Sequence, residues 1–140
     1  MSSEQDVVNA LKAELAATAP ARLVTRDYMD FADRDEADLS AGIFTVLAGR
    51  GDGYQNLVGR MASNGLLRPV IVGQILLPDS SSGSAVEDAE LAMLEDVKTL
   101  IRRDDLPPPI SGIEFLGFQS SGQLDAPYGW CAIQTQIRAI

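Results

Sequence analysis

The reach from Arg68 to Arg103 constrains the fold more than any other part of the chain, because it joins a strand apolar on both sides to a helix apolar on one. Along Val70 to Leu77, Val70, Val72 and Leu76 point one way with Gln74, and Ile71, Ile75 and Leu77 point the other with Gly73. Such a strand needs a cover on each face. Pro78-Asp79 and Ser80-Ser81-Ser82-Gly83 end it, since proline cannot donate to a ladder and small residues favour irregular backbone. Ser84, with Glu87 three residues on, offers a capping box for the helix that follows. Val86, Ala89, Met93, Val97 and Leu100 then recur at helical spacing, widened by Leu94 and Ile101. Acids near the start (Glu87, Asp88, Glu90) and bases near the end (Lys98, Arg102, Arg103) suit the helix dipole. Asp104-Asp105 and the prolines 107–109 stop it. The helix spans roughly 28 Å and the strand about 27 Å, so one can lie along the other. The apolar area they share falls short of the entropy lost in ordering them, so the rest of the chain must supply a sheet.

With 140 residues, positions 1–140 make one domain large enough for a single core. A net charge of −9 argues against wrapping duplex nucleic acid and against docking on anionic lipid. The opening MSSEQDVVNALKAELAA is acidic and helical with no positive leader region, and no apolar run reaches the length of a membrane span. Cys131 is alone, so no internal disulfide forms, which fits synthesis in the cytosol. Histidine is absent, which removes Ser-His-Asp and Cys-His catalysis and the commonest zinc sites together.

Taken in order, Ser3 caps a first helix with Asp6 at the capping-box position, and Val7, Val8, Leu11 and Leu15 form its apolar side before Pro20. Leu23 to Thr25 could begin an extended segment, but Arg22 to Asp38 as a whole reads as an irregular, exposed connection anchored by a few apolar groups such as Tyr28, Met29 and Phe31. Its acids, Asp27, Asp30, Asp33, Asp35, Glu36 and Asp38, lack the EF-hand spacing and read as solvated. Gly42 to Ala48 is a strand apolar on both faces, followed by a glycine-rich loop, Arg50 to Asn56, and a tight turn at Asn64-Gly65. The loop lacks the glycine pattern of a phosphate cradle and carries Asp52 where a phosphate would sit. Arg50-Gly51-Asp52 also spells an adhesion tripeptide, a coincidence in a chain without a secretion signal.

Ile113 to Gln119 is a third strand, with Ile113 and Phe115 opposed to Leu116 and Phe118. Trp130 to Ile140 is the last and alternates most cleanly: Cys131, Ile133, Thr135, Ile137 and Ala139 against Trp130, Ala132, Gln134, Gln136 and Arg138. Trp130 and Arg138 are residue types enriched at interfaces; Trp130 at the core edge and a solvated Arg138 is the plainer alternative. No pairing of titratable residues at a diagnostic spacing emerges, and Cys131 on an apolar face reads as a buried, inert thiol. The expected fold is α+β: a mainly antiparallel sheet of about four or more strands with two principal helices packed on it. Catalytic, metal and cofactor residues are expected to be none.

The VIVGQILLPD strand leading through a small-residue loop into AVEDAELAMLEDVKTLIRR, and the tryptophan-started ending GWCAIQTQIRAI, resemble the tail terminators of long-tailed bacteriophages, the minor tail protein U type. The resemblance implies a small α+β virion protein that forms a six-fold ring, closing only on the tube or before it. The ring stops tail-tube polymerisation and presents a head-joining surface. Implied partners are further copies of the chain, the tail-tube protein and a head-tail connector protein. The implied location is the head-proximal end of the tail, with the host cytoplasm during assembly. Arg50, Asp52, Tyr54 and Gln55 are then candidates for contact with the tube or another partner. Glu90, Leu91, Arg102, Arg103, Trp130 and Arg138 are candidates for the contact between copies. Leu91 lies about 140° from Val86 on the helical wheel, outside the apolar stripe, while Glu90 falls inside it. A neighbouring copy could bury Leu91 and pair Glu90 with Arg138 or Arg103; a frayed first turn with Glu90 reaching outward explains the same pattern locally. Excess acid facing a channel would let DNA pass without sticking. Another head-tail connector protein, or a small ligand-binding or enzyme-accessory α+β domain with its pocket shaped by Gly49 to Gly65, is the alternative.

Overall fold

A computed structural model describes residues 3–53 and 65–138. Helix α1 (Glu4–Thr18) opens on the expected capping box, Ser3 Oγ accepting from the Asp6 amide at 3.2 Å and the Asp6 carboxylate accepting from the Ser3 amide at 3.0 Å. Then come β1 (Leu23–Thr25), a single 3-10 turn (Phe31–Asp33), α2 (Glu36–Ala41), β2 (Ile43–Asp52), β3 (Leu66–Leu76), α3 (Gly83–Ile101), β4 (Ile113–Ser120) and β5 (Tyr128–Arg138). The strands form one sheet in the order β1-β2-β3-β5-β4. β1 and β2 are parallel and the other three pairings antiparallel, so the α+β expectation holds.

Both long helices cover the same face of this sheet. Phe44, Val46, Ile71, Cys131, Ile133 and Ile137 turn toward Val7, Leu11 and Leu15 of α1 and Met93, Val97 and Leu100 of α3, and these side chains make one buried core. The register sends the alternate residues, Thr45, Val72, Gln74, Trp130, Ala132 and Gln134, to the opposite face. There the cover is a strap of chain between β1 and α2. Gln74 Nε2 donates to the carbonyl of Met29 at 3.1 Å, and Arg34 Nη2 donates to Thr45 Oγ1 at 3.2 Å. The strap seals Thr45 and Gln74 but leaves Val70, Val72 and Leu76 only half-buried. The two covers required by an all-apolar strand are thus unequal: a helical layer on one side and a narrow strap on the other.

Several local expectations need correction. Arg22 to Asp38 is not wholly irregular, since it contains β1, at the Leu23 to Thr25 positions where an extended segment could begin, and the start of α2. Three strand residues show no periodicity and are fixed only by pairing with Ile43 to Thr45, and six helical residues give the apolar pattern one buried member, Leu39. Arg50 to Asp52, expected in a loop, continue β2 past a bulge and pair with Arg68, Leu67 and Leu66. Gly49 makes that bulge possible: its φ is +67°, and a Cβ there would run into the Arg68 carbonyl oxygen. The cap of α3 is Ser82, which accepts from the Ala85 amide at 3.2 Å, rather than Ser84. A second bulge between Phe115 and Gly117 re-phases β4, so that Phe118 pairs with Ile133 on the helix face instead of sharing a face with Leu116. The turn expected at Asn64-Gly65 and the strand end at Ala139-Ile140 fall at least partly outside the described residues.

Candidate interaction surface

Among the described residues, the face away from α1 and α3, free of long helices, carries two hollows. The larger, about 630 Å³, has Val72, Gln74 and Ala132 on its floor and is walled by Tyr28 and Phe31 of the strap and by Tyr128 and Trp130 of β5. Phe31 and Tyr128 meet edge to face with ring centroids 5.0 Å apart, which fixes the strap against the start of β5. Asp125 stands at the rim and accepts from Trp130 Nε1 at 3.3 Å. Gln74 is 1% exposed; its amide nitrogen is bonded to the strap, while its Oε1 has no partner. The groove therefore combines four aromatic walls and a carboxylate at its mouth, over a floor in which Gln74 is sealed. This grouping escapes a reading of the sequence, because Tyr28 and Trp130 are brought together only when the strap crosses the sheet. The short DYMDF segment, aromatic residues set among acids, is the trace it leaves in the sequence.

The smaller hollow, about 320 Å³, is lined by Gly49, Arg50, Arg68, Val70, Leu116 and Gln134. Asp52 accepts from Arg68 and, at 3.3 Å, from Arg50, while Arg68 Nε donates to Gln136 Oε1 at 3.3 Å. Arg50 and Asp52, two of the expected partner-contact residues, thus share this end of the helix-free face. Tyr54 and Gln55 lie outside the described residues.

The residues expected between copies do not form one patch. Glu90 is 1% exposed and its carboxylate is used within its own chain: Oε1 accepts from the Ser121 amide at 3.3 Å, and Oε2 from the Trp130 amide at 3.0 Å and from the Ser121 hydroxyl. That replaces both the expected pairing with Arg138 or Arg103 of a neighbour and the outward-reaching alternative. Gly129 lets the carboxylate in, for a Cβ there would sit 2.8 Å from Glu90 Oε2 and 2.9 Å from Val86 Cγ1. Leu91, one position on, is 37% exposed, as its place outside the stripe requires. Arg102 is exposed and reaches Glu95 at 3.6 Å. Arg103 binds Asp105 and Glu14, each at 2.9 Å, which ties the end of α3 to α1. These bonds, Asp105 first, hold the guanidinium above its ordinary pKa, and Arg103 in turn holds the Asp105 carboxyl below its own. Trp130 is half-buried in the larger groove, and Arg138 closes β5 opposite Leu66.

Two sheet ends complete the surface. Among the described residues no strand pairs with the outer edge of β4, where Leu116 and Phe118 are 47% and 46% exposed and Lys98 Nζ lies 5.6 Å from the Phe115 ring centre. At the other end the short β1 leads into the strap and α2, whose acids Asp27, Asp30, Asp33, Asp35, Glu36 and Asp38 are all exposed. The described residues hold no group of three or more carboxylate or thiol side chains arranged to bind a metal ion, and none of their helices is long and apolar enough to cross a membrane. Compared with protein-family models and with curated proteins, the chain matches neither.

Proposed function

We propose that the chain is a structural ring subunit of the phage tail terminator type, which caps the tail tube, stops its polymerisation and offers a surface for head joining. The observation that carries this reading is the unlike character of the two sheet ends. The β4 end is an eight-residue edge flanked by exposed Leu116 and Phe118, and the β1 end is short and acidic. Unlike ends suit a heterologous contact, in which one end of each copy meets the other end of the next, and such contacts make a ring when the rotation between copies closes. An unpaired strand edge is itself a template for pairing and needs a cover. The helix-free face, with Arg50 and Asp52 at one end and the aromatic groove at the other, is left for the tube or connector protein. The net charge of −9 suits a ring whose channel lets DNA through without holding it.

Sedimentation and negative-stain imaging, alone and with tail-tube protein, test the proposal. Rings alone or rings at tube ends are expected; a protein that stays monomeric and ignores tube ends overturns it. The groove favours a second reading, a small ligand-binding domain, although it sits under the strap rather than at the Gly49 to Gly65 loop. A ligand-dependent rise in melting temperature across a metabolite panel separates the two.

A further inference from the structure

We propose that the groove under the strap is a receptor for an arginine side chain presented by a partner protein. The inference does not depend on whether the chain closes into a ring. Arginine answers each feature of the site. Its planar guanidinium stacks on aromatic faces, here those of Tyr28, Phe31, Tyr128 and Trp130. Its several N–H donors suit a carboxylate at the mouth of an aromatic groove, here Asp125 at the rim. Its alkyl stem covers Val72 and Ala132.

The surroundings select the same charge. Asp27, Asp30 and Asp33 alternate with Tyr28 and Phe31 along the strap and are exposed, so the approach to the groove is acidic. Arg26 and Arg34 are the strap's opposing charges: Arg26 Nη1 is tied to Asn9 Oδ1, and Arg34 is held inward, its Nη2 on the carbonyl of Asp27 and Thr45 Oγ1 and its Nε buried, so the four acids Asp27, Asp30, Asp33 and Asp35 outnumber them. An anionic occupant would face the Asp125 carboxylate and the exposed acids of the strap, and a purely apolar one would leave that carboxylate without a cation.

Trp130 is the chain's single tryptophan and lines the groove, so its fluorescence and its indole N–H resonance report occupancy directly. The full chain is titrated with N-acetyl-arginine methylamide and, in parallel, with the lysine, norleucine and glutamate analogues. A saturable shift at Trp130 is expected, with the norleucine analogue about tenfold weaker, lysine between them and glutamate silent. Asp125→Asn keeps the acceptor for Trp130 Nε1 but removes the rim charge, and lowers arginine affinity several-fold without changing the norleucine response. Glu95→Gln, the same change of net charge on α3, leaves arginine affinity unaltered. Norleucine binding as well as arginine, equal losses in the two variants, or no shift at Trp130 with any analogue overturns the proposal.

Discussion

Two neighbouring residues of α3 show how differently adjacent side chains act. Glu90, 1% exposed, is sealed among Ser121, Gly129 and Trp130, and its removal would take away the acceptor of the Trp130 amide. Glu90→Ala is therefore expected to cost about 2–4 kcal/mol, from the orphaned donor and the space left behind. Leu91→Ala, at 37% exposure, is expected to stay within roughly 0.5 kcal/mol in the same urea titration. The helical wheel placed Glu90 inside the stripe but could not supply its partners, which lie 31 and 40 positions along the chain. Cys131 was legible, because alternation alone put it on the core face. Burial pushes its thiol up to about 12 from an ordinary 9.0, with Gly73 opposing and the Glu90 charge adding to the rise. The folded state holds the proton after the unfolded chain has lost it, so this group's contribution is intact below about pH 9 and is lost as the pH rises toward about 12. A thiol reagent at pH 8 should find Cys131 silent until denaturant is added, and Cys131→Ala should flatten the alkaline fall in stability.

At the scale of elements, what the sequence shows depends on length. The two long helices and the longer strands carry enough apolar repeats to be read directly, whereas β1 and α2 gain their definition from tertiary pairing. Ends are subtler, since a cap is chosen by where the chain leaves the sheet and not by the best local motif. Ser84 with Glu87 makes the better written signal, yet Ser82 binds the Ala85 amide, because the helix begins at Gly83. Ser82→Ala should accordingly cost about 1 kcal/mol, and Ser84→Ala no more than a few tenths. A larger loss at Ser84 than at Ser82 would mean that the helix starts later than Gly83. Bulges are the features least visible beforehand. Gly49 stood out only as one glycine among many, and its part in extending β2 to Asp52 follows from the nearby carbonyl of Arg68. The same limit hid the groove: its floor was readable as alternate positions of β3 and β5, but the strap that walls it had no periodic signature.

For the whole molecule, the decisive asymmetry is that both long helices lie on one face, while the sheet's other face has only the narrow strap and, among the described residues, the outer edge of β4 is unpaired. If copies join through that edge, adding charge to it should abolish assembly while leaving the fold intact. Leu116 and Phe118 are suited to this test because each is nearly half-exposed and, through the bulge, they stand on opposite faces of β4. Leu116→Lys and Phe118→Lys are expected to change unfolding stability by no more than about 1 kcal/mol, as surface substitutions do. Each would nonetheless place an ammonium in an apolar contact, where desolvating it without a partner is costly. In sedimentation and imaging with tail-tube protein, the single variants should form fewer rings and the double variant none. Leu124→Lys offers a control, since Leu124 is 86% exposed on the turn beyond β4 and belongs to neither sheet edge. Rings formed as readily by the double variant as by the Leu124 control would show that copies meet elsewhere. The helix-free face, with its two hollows, would then be the surface to examine next.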